Sequence, residues 1–166
     1  EYFFLPIREL LHNIYEHGGI KPFDGEGLVT FSKDKSSFFS VRYCFSDLGL
    51  GFKKTLLDQD PGLKEKIKND EDALLYGILY RKLYPKSGVV GIFPALEFIA
   101  KSKGALVIRS GSRQVKLSFK DQRGISFMKD HYYKESITIS DLRYACTFSG
   151  CPTIPGTHIY LDLSIQ

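Results

Sequence analysis

The chain has 166 residues, 43% hydrophobic and 25% charged, which suits one globular domain with a full core and leaves too little for two. Its net charge of +4 is mild, and its basic residues are spread along the sequence rather than clustered as in a nucleic-acid footprint. No apolar run approaches the roughly 20 residues of a membrane span, and Cys44, Cys146 and Cys151 are odd in number, without the second pair that would complete a zinc site, so they read as free thiols of a reducing cytoplasm.

No signal peptide opens the chain, and its first residue is Glu1 rather than Met, so a fragment of a longer protein is expected. Residues 5–17, LPIRELLHNIYEH, predict a helix. Pro6 suits its first turn, Gly18-Gly19 its exit, and Phe3, Ile7, Leu10 and Ile14 form an apolar stripe. Glu9 and Asn13 project from one face of this helix, with Glu16 and His17 near them. A carboxylate there can take a proton from water or a hydroxyl, and an amide oxygen can ligate a hard cation. An amphipathic helix also needs an ordinary polar face, and the stretch alone does not separate the two readings.

Residues 20–27 read as a loop. Residues 27–33 and 37–45, rich in Val, Phe and Tyr, predict a strand pair with a turn near Lys33-Asp34-Lys35. Directly after it comes Ser46-Asp47-Leu48-Gly49-Leu50-Gly51. An acidic residue at a strand end, followed by spaced glycines, makes a tight loop whose backbone can approach a flat ligand, with the Asp accepting from an exocyclic amine. The same residues also serve a plain strand-terminating turn. Residues 52–70 are charged, broken at Pro61-Gly62, and predict a mobile stretch with short helical pieces; 71–84 predict a helix with an acidic first turn.

The loop around Ser87-Gly88 and Gly91 opens a helix over 93–103, a place where free N–H groups can face an anion. Residues 105–110 and 114–119 predict strands joined by a hairpin turn at Gly111-Ser112-Arg113. Further strands are expected over 124–128, 132–139 and 142–148. Pro152 and Pro155 break the chain, and the alternation of 157–165 closes the sheet.

The order of these motifs resembles the ATP-binding domain of the GHKL superfamily, closest to bacterial histidine-kinase-like or anti-sigma-factor-like ATPases. The resemblance spans nearly the whole chain, as one domain over 1–166. It implies an α+β fold, a two-layer α/β sandwich of Bergerat type with a mixed, mostly antiparallel sheet and helices on one face. Residues 9–17 are similar to the family's N box, which implies Asn13 as the Mg2+ ligand and Glu9 as the catalytic group that orients or deprotonates the attacking species. His17 stands where many members carry His or a basic residue. Asp47, Gly49 and Gly51 are similar to the adenine box, and about 52–87 to the ATP lid. Ser87, Gly88 and Gly91 stand at the second glycine box, and Gly156-Thr157 at the final Gly-Thr, whose hydroxyl helps hold adenine.

Three departures stand out. The second glycine box reads SGVVGIFPAL without G-x-G, the elements that precede the N box in the family are missing, and a β extension over about 120–155 has no counterpart. The implied ligands are ATP and Mg2+, with a protein partner or flanking domain, a homodimer in the motor reading, and a cytoplasmic setting. Three outcomes share the site: hydrolysis of ATP, transfer of its γ-phosphate to a protein Ser or His, or nucleotide binding without turnover as an interaction switch. A rival of another class, a nucleic-acid module stacking bases on Phe38-Phe39 or Tyr132-Tyr133, fits less well because those aromatics alternate as a sheet core does.

Overall fold

The structure, a computed structural model, describes residue 8 and residues 27–34, 39–84, 92–134 and 137–165. The fold is α+β. Strands β1 (Gly27–Asp34), β2 (Phe39–Asp47), β3 (Ala105–Ser118) and β4 (Cys146–Ile165) form a sheet in the order β1-β2-β4-β3. Every pairing among the described residues is antiparallel, where a mixed, mostly antiparallel sheet was expected. Among the described residues from 27 onward, the helices are α1 (Gly51–Gln59), a 3-10 turn (Pro61–Glu65), α2 (Asp70–Leu83), α3 (Phe93–Lys101), α4 (Gln122–Phe127) continuing into a π turn (Met128–Tyr132), and α5 (Ile139–Ala145), while Arg8 is helical in the N-terminal part. No helix among the described residues is long and apolar enough to cross a membrane.

Period-two alternation makes the sheet's inner face. Phe45 stands opposite Ile159, which stands opposite Ile108, and Leu161 stands opposite Leu106; all five join one core with α2 and α3. The intervening residues Arg42, Cys44, Arg109, His158, Tyr160 and Asp162 turn to the other face and are half-buried or exposed. Helix α2 forms where the acidic first turn and helical period predict it. Asn69 caps it, accepting from Asp72 N at 2.9 Å, and Asp70, Glu71 and Asp72 suit the positive end of its dipole.

Leu74, Leu75, Ile78 and Leu79 of α2 are fully buried in the main core, while Ala73 and Tyr80 close a smaller cluster with Leu56, Leu63 and Ile67. The Phe52 ring lies directly on Gly77, where an added Cβ would come 2.3 Å from two ring carbons. The stretch expected as a mobile lid therefore contains packed helix over much of its length. Its charged surface conceals Leu56, Leu63 and Ile67, which meet only when α1 folds back on α2.

The hairpin expected at Gly111-Ser112-Arg113 is absent, and β3 runs unbroken from Ala105 to Ser118 beside β4. Gly111 takes φ +61 and absorbs an irregularity of pairing rather than reversing the chain. Across it the buried positions of β3 change from Leu106, Ile108 and Ser110 to Val115 and Leu117. Pro152 and Pro155 do not end β4 either. They sit within it at the irregular pairing, where a missing N–H costs least.

The strand expected over 124–128 is instead α4 running into the π turn, most of that expected over 142–148 is α5, and of 132–139 the described residues are the end of the π turn, a turn and the start of α5. Asp121 caps α4 by accepting from Gly124 N at 3.0 Å, and Thr138 with Asp141 closes a capping box on α5. Local capping outweighs the β-branched and aromatic composition there. Only Cys146 onward continues as strand.

Candidate functional site at the end of β2

Three of the predicted motifs' residues meet a fourth from far along the chain. Asp47 ends β2 with a buried side chain, and its Oδ1 accepts from the Gly49 N–H at 2.8 Å and from the Thr157 N–H, 110 positions later, at 3.1 Å. The first bond is a local turn that Asp favours; the second ties two strands. Both donors grip the same oxygen, which sets the direction of the carboxylate and hence of its second oxygen.

Gly156 makes that junction sterically feasible. It has φ +79, and a Cβ there would lie 1.9 Å from the Asp47 carbonyl oxygen and 2.8 Å from Oδ1. Gly51, at φ +72, starts α1 beneath it, and its Cβ would lie 2.7 Å from Ser110 Oγ and 3.2 Å from the Gly156 carbonyl oxygen. These glycines let backbone approach backbone. For Gly51 the expectation was close approach to a flat ligand.

Ser110 holds the arrangement from below, and the sequence reading missed it. Its buried hydroxyl accepts from Phe52 N at 3.0 Å and donates to the Gly156 carbonyl at 3.1 Å. It thereby supplies a partner for an otherwise orphaned N–H in the first turn of α1. The signal was present in the pattern: after Leu106 and Ile108, the next inward position of β3 is a polar residue followed by glycine. Leu48 and Leu50 project outward beside the junction, 56% and 46% exposed.

The structure thus brings together Asp47, Gly49, Gly51 and Thr157, and it is the main-chain N–H of Thr157 that engages Asp47. Glu9, Asn13, His17, Ser87, Gly88 and Gly91 lie outside the described residues. Among the described residues no three His, Cys, Asp or Glu gather as a metal site.

Next to this junction, the acidic end of α2 holds the segment between the irregular parts of β3 and β4. Asp70 Oδ2 accepts from Ser112 N and Oγ, both at 2.8 Å. Burial, the largest influence, opposes ionisation of Asp70, but these two bonds together with the nearby Lys53 and Arg113 charges hold the carboxyl below its usual 3.8. Arg143 of α5 pairs with Glu71 and, at 2.7 Å, with Asp72. The Phe93 and Tyr132 rings stack with centroids 4.6 Å apart, and burial pushes the Tyr132 phenol up to about 12. Burial likewise raises the Cys146 thiol to about 12, which makes it inert. Set against known proteins, the chain finds no matching family model, no similar curated protein and no similar solved structure.

Proposed function

We propose that this chain is an ATP-binding domain of the GHKL type that, with Mg2+, hydrolyses ATP or transfers its γ-phosphate. The observation that supports this reading is the meeting of Asp47 with Gly156 and Thr157 across 110 positions. A buried carboxylate held by two main-chain donors is a rigid acceptor for the exocyclic amine of adenine, and rigidity is what gives a polar group discrimination in a largely apolar site. Leu48 and Leu50 supply exposed apolar surface beside it.

The phosphate end of the proposal rests on the sequence. Asn13 would hold Mg2+, Glu9 would poise water or an acceptor hydroxyl, and the glycine loop at Ser87, Gly88 and Gly91 would offer N–H groups to the phosphates. Bound Mg2+ would neutralise charge on the phosphoryl group, the main demand of such transfers. A flanking domain, a protein partner or a second copy would read the outcome in the cytoplasm.

Titration calorimetry with ATP and ADP, with and without Mg2+, tests the proposal. Asp47→Asn is expected to weaken ATP binding by about tenfold or more, the worth of a charge-assisted hydrogen bond. Unchanged affinity in that variant sinks the adenine assignment. Glu9→Ala is expected to keep binding and lose turnover. Labelled ATP, with free phosphate and protein-bound label followed separately, distinguishes hydrolysis, transfer and binding alone.

A further inference from the structure

The segment 111–155 is a built platform rather than a long loop. It is fixed to α2 through Ser112 and Arg143 and to α3 through the Phe93–Tyr132 stack, and Val115, Leu117, Phe127 and Leu142 extend the main core into it. What it turns outward has a distinct character. Seven Lys or Arg and four Asp or Glu fall within it, a net +3 out of the whole chain's +4. Arg113, Lys116, Lys120, Arg123, Lys129 and Lys134 are all exposed, and among the described residues only Lys120 of these six forms an ion pair, with Asp162 at 2.8 Å.

Two of the segment's four acids are engaged. Asp121 caps α4, and Asp141 caps α5 while facing His131 at 3.3 Å. The field presented outward is therefore positive. Ile125, Tyr133 and Tyr144, at 46%, 65% and 73% exposed, are three of the five exposed large hydrophobic side chains among the described residues. Ile125, Lys129 and Tyr133 follow at four-residue spacing, so apolar and cationic side chains share an exposed stripe along α4, its π turn and the residue that caps it.

We propose that this face docks an acidic segment of a partner protein, one that sets apolar side chains against Ile125 and Tyr133 and carboxylates against Arg123, Lys129 and Lys134. Apolar and tyrosine anchors within a charged rim are the composition of a protein interface. A nucleic-acid track neutralises phosphates with a denser run of cations, and Asp130 is exposed amid this one. The proposal stands independently of the nucleotide reading.

Selection from a random 16-residue peptide display library against the full chain provides the test. Enriched peptides are expected to be net acidic with aromatic or aliphatic anchors. Their affinity is expected to fall by about tenfold or more in Lys129→Glu and in Tyr133→Ala, and to weaken with salt. Both residues are exposed, and an unchanged melting curve verifies that each variant folds. Enrichment of peptides without acidic character, or binding that ignores both substitutions, overturns the proposal. So does tighter binding of a 30-nucleotide single strand or of phosphatidylserine vesicles than of any selected peptide.

Discussion

Replacing Gly156 with Ala tests how β4 is seated on the end of β2. A side chain at φ +79 costs about 1–2 kcal/mol in backbone strain. The methyl would also lie 1.9 Å from the Asp47 carbonyl oxygen, so β4 must withdraw, and the 3.1 Å bond from Thr157 N to Asp47 goes with it. A hydrogen bond to a charged acceptor contributes about 1.5–3 kcal/mol, while the stiffer unfolded chain returns about 0.4–1 kcal/mol. The expected loss is about 2–4 kcal/mol, a large share of the total stability of a domain. Urea unfolding of Gly156→Ala beside Gly150→Ala measures it. An added Cβ at Gly150 comes no nearer than 3.7 Å to Arg113 Nη1, so the control should stay within about 1 kcal/mol of the parent. Equal stability of the two variants would refute the steric account of the junction.

Ser110→Ala is expected to destabilise the fold by about 1–3 kcal/mol for each of the two groups it strands, Phe52 N–H and Gly156 C=O, read by urea unfolding; a change under about 0.5 kcal/mol sets the brace aside. Acidification should loosen the contact at Asp70: its folded pKa is depressed, so its contribution is present above the usual 3.8 and lost as pH falls through the folded value. The stability gap between the parent and Asp70→Asn, followed from about pH 6 to about pH 2, should therefore close, and a constant gap contradicts this. With an alkylating reagent at neutral pH, half-exposed Cys44 and Cys151 should label in the native protein while Cys146 labels only after unfolding, as peptide mass mapping would show.

Where a segment's fate is decided by its own period and caps, the sequence was readable. Acidic residues ahead of Leu74, Leu75, Ile78 and Leu79 announce α2, and the alternation of Ile159, Leu161, Leu163 and Ile165 announces the end of β4. Where contacts across the fold decide, it was not. Gly111 looks like a turn residue, and only the side chain of Asp70 against it and the pairing with β4, which resumes on both sides of the irregularity, make it part of a strand. The helices within 122–145 were hidden by a composition rich in Ile and Tyr, although the capping signals Asp121 and Thr138-x-x-Asp141 stood in the sequence. At the candidate site, the turn from Asp47 to Gly49 was legible in its own residues, while the main-chain bond from Thr157 to Asp47 and the brace at Ser110 depend on how β2, β3 and β4 lie together.

Phe52 carries a consequence for how the molecule breathes. Its ring belongs to both hydrophobic clusters and rests on Gly77, while its amide is held by Ser110. The smaller cluster of Leu56, Leu63 and Ile67 buries too few groups to be a domain in its own right, so it should open as a low-energy cooperative unit well before the sheet does. Such an opening passes strain through a single residue. If α1 lifts, Phe52 leaves Gly77 and its amide leaves Ser110 in the same event, so amide exchange at Phe52 should report the opening free energy of the whole unit.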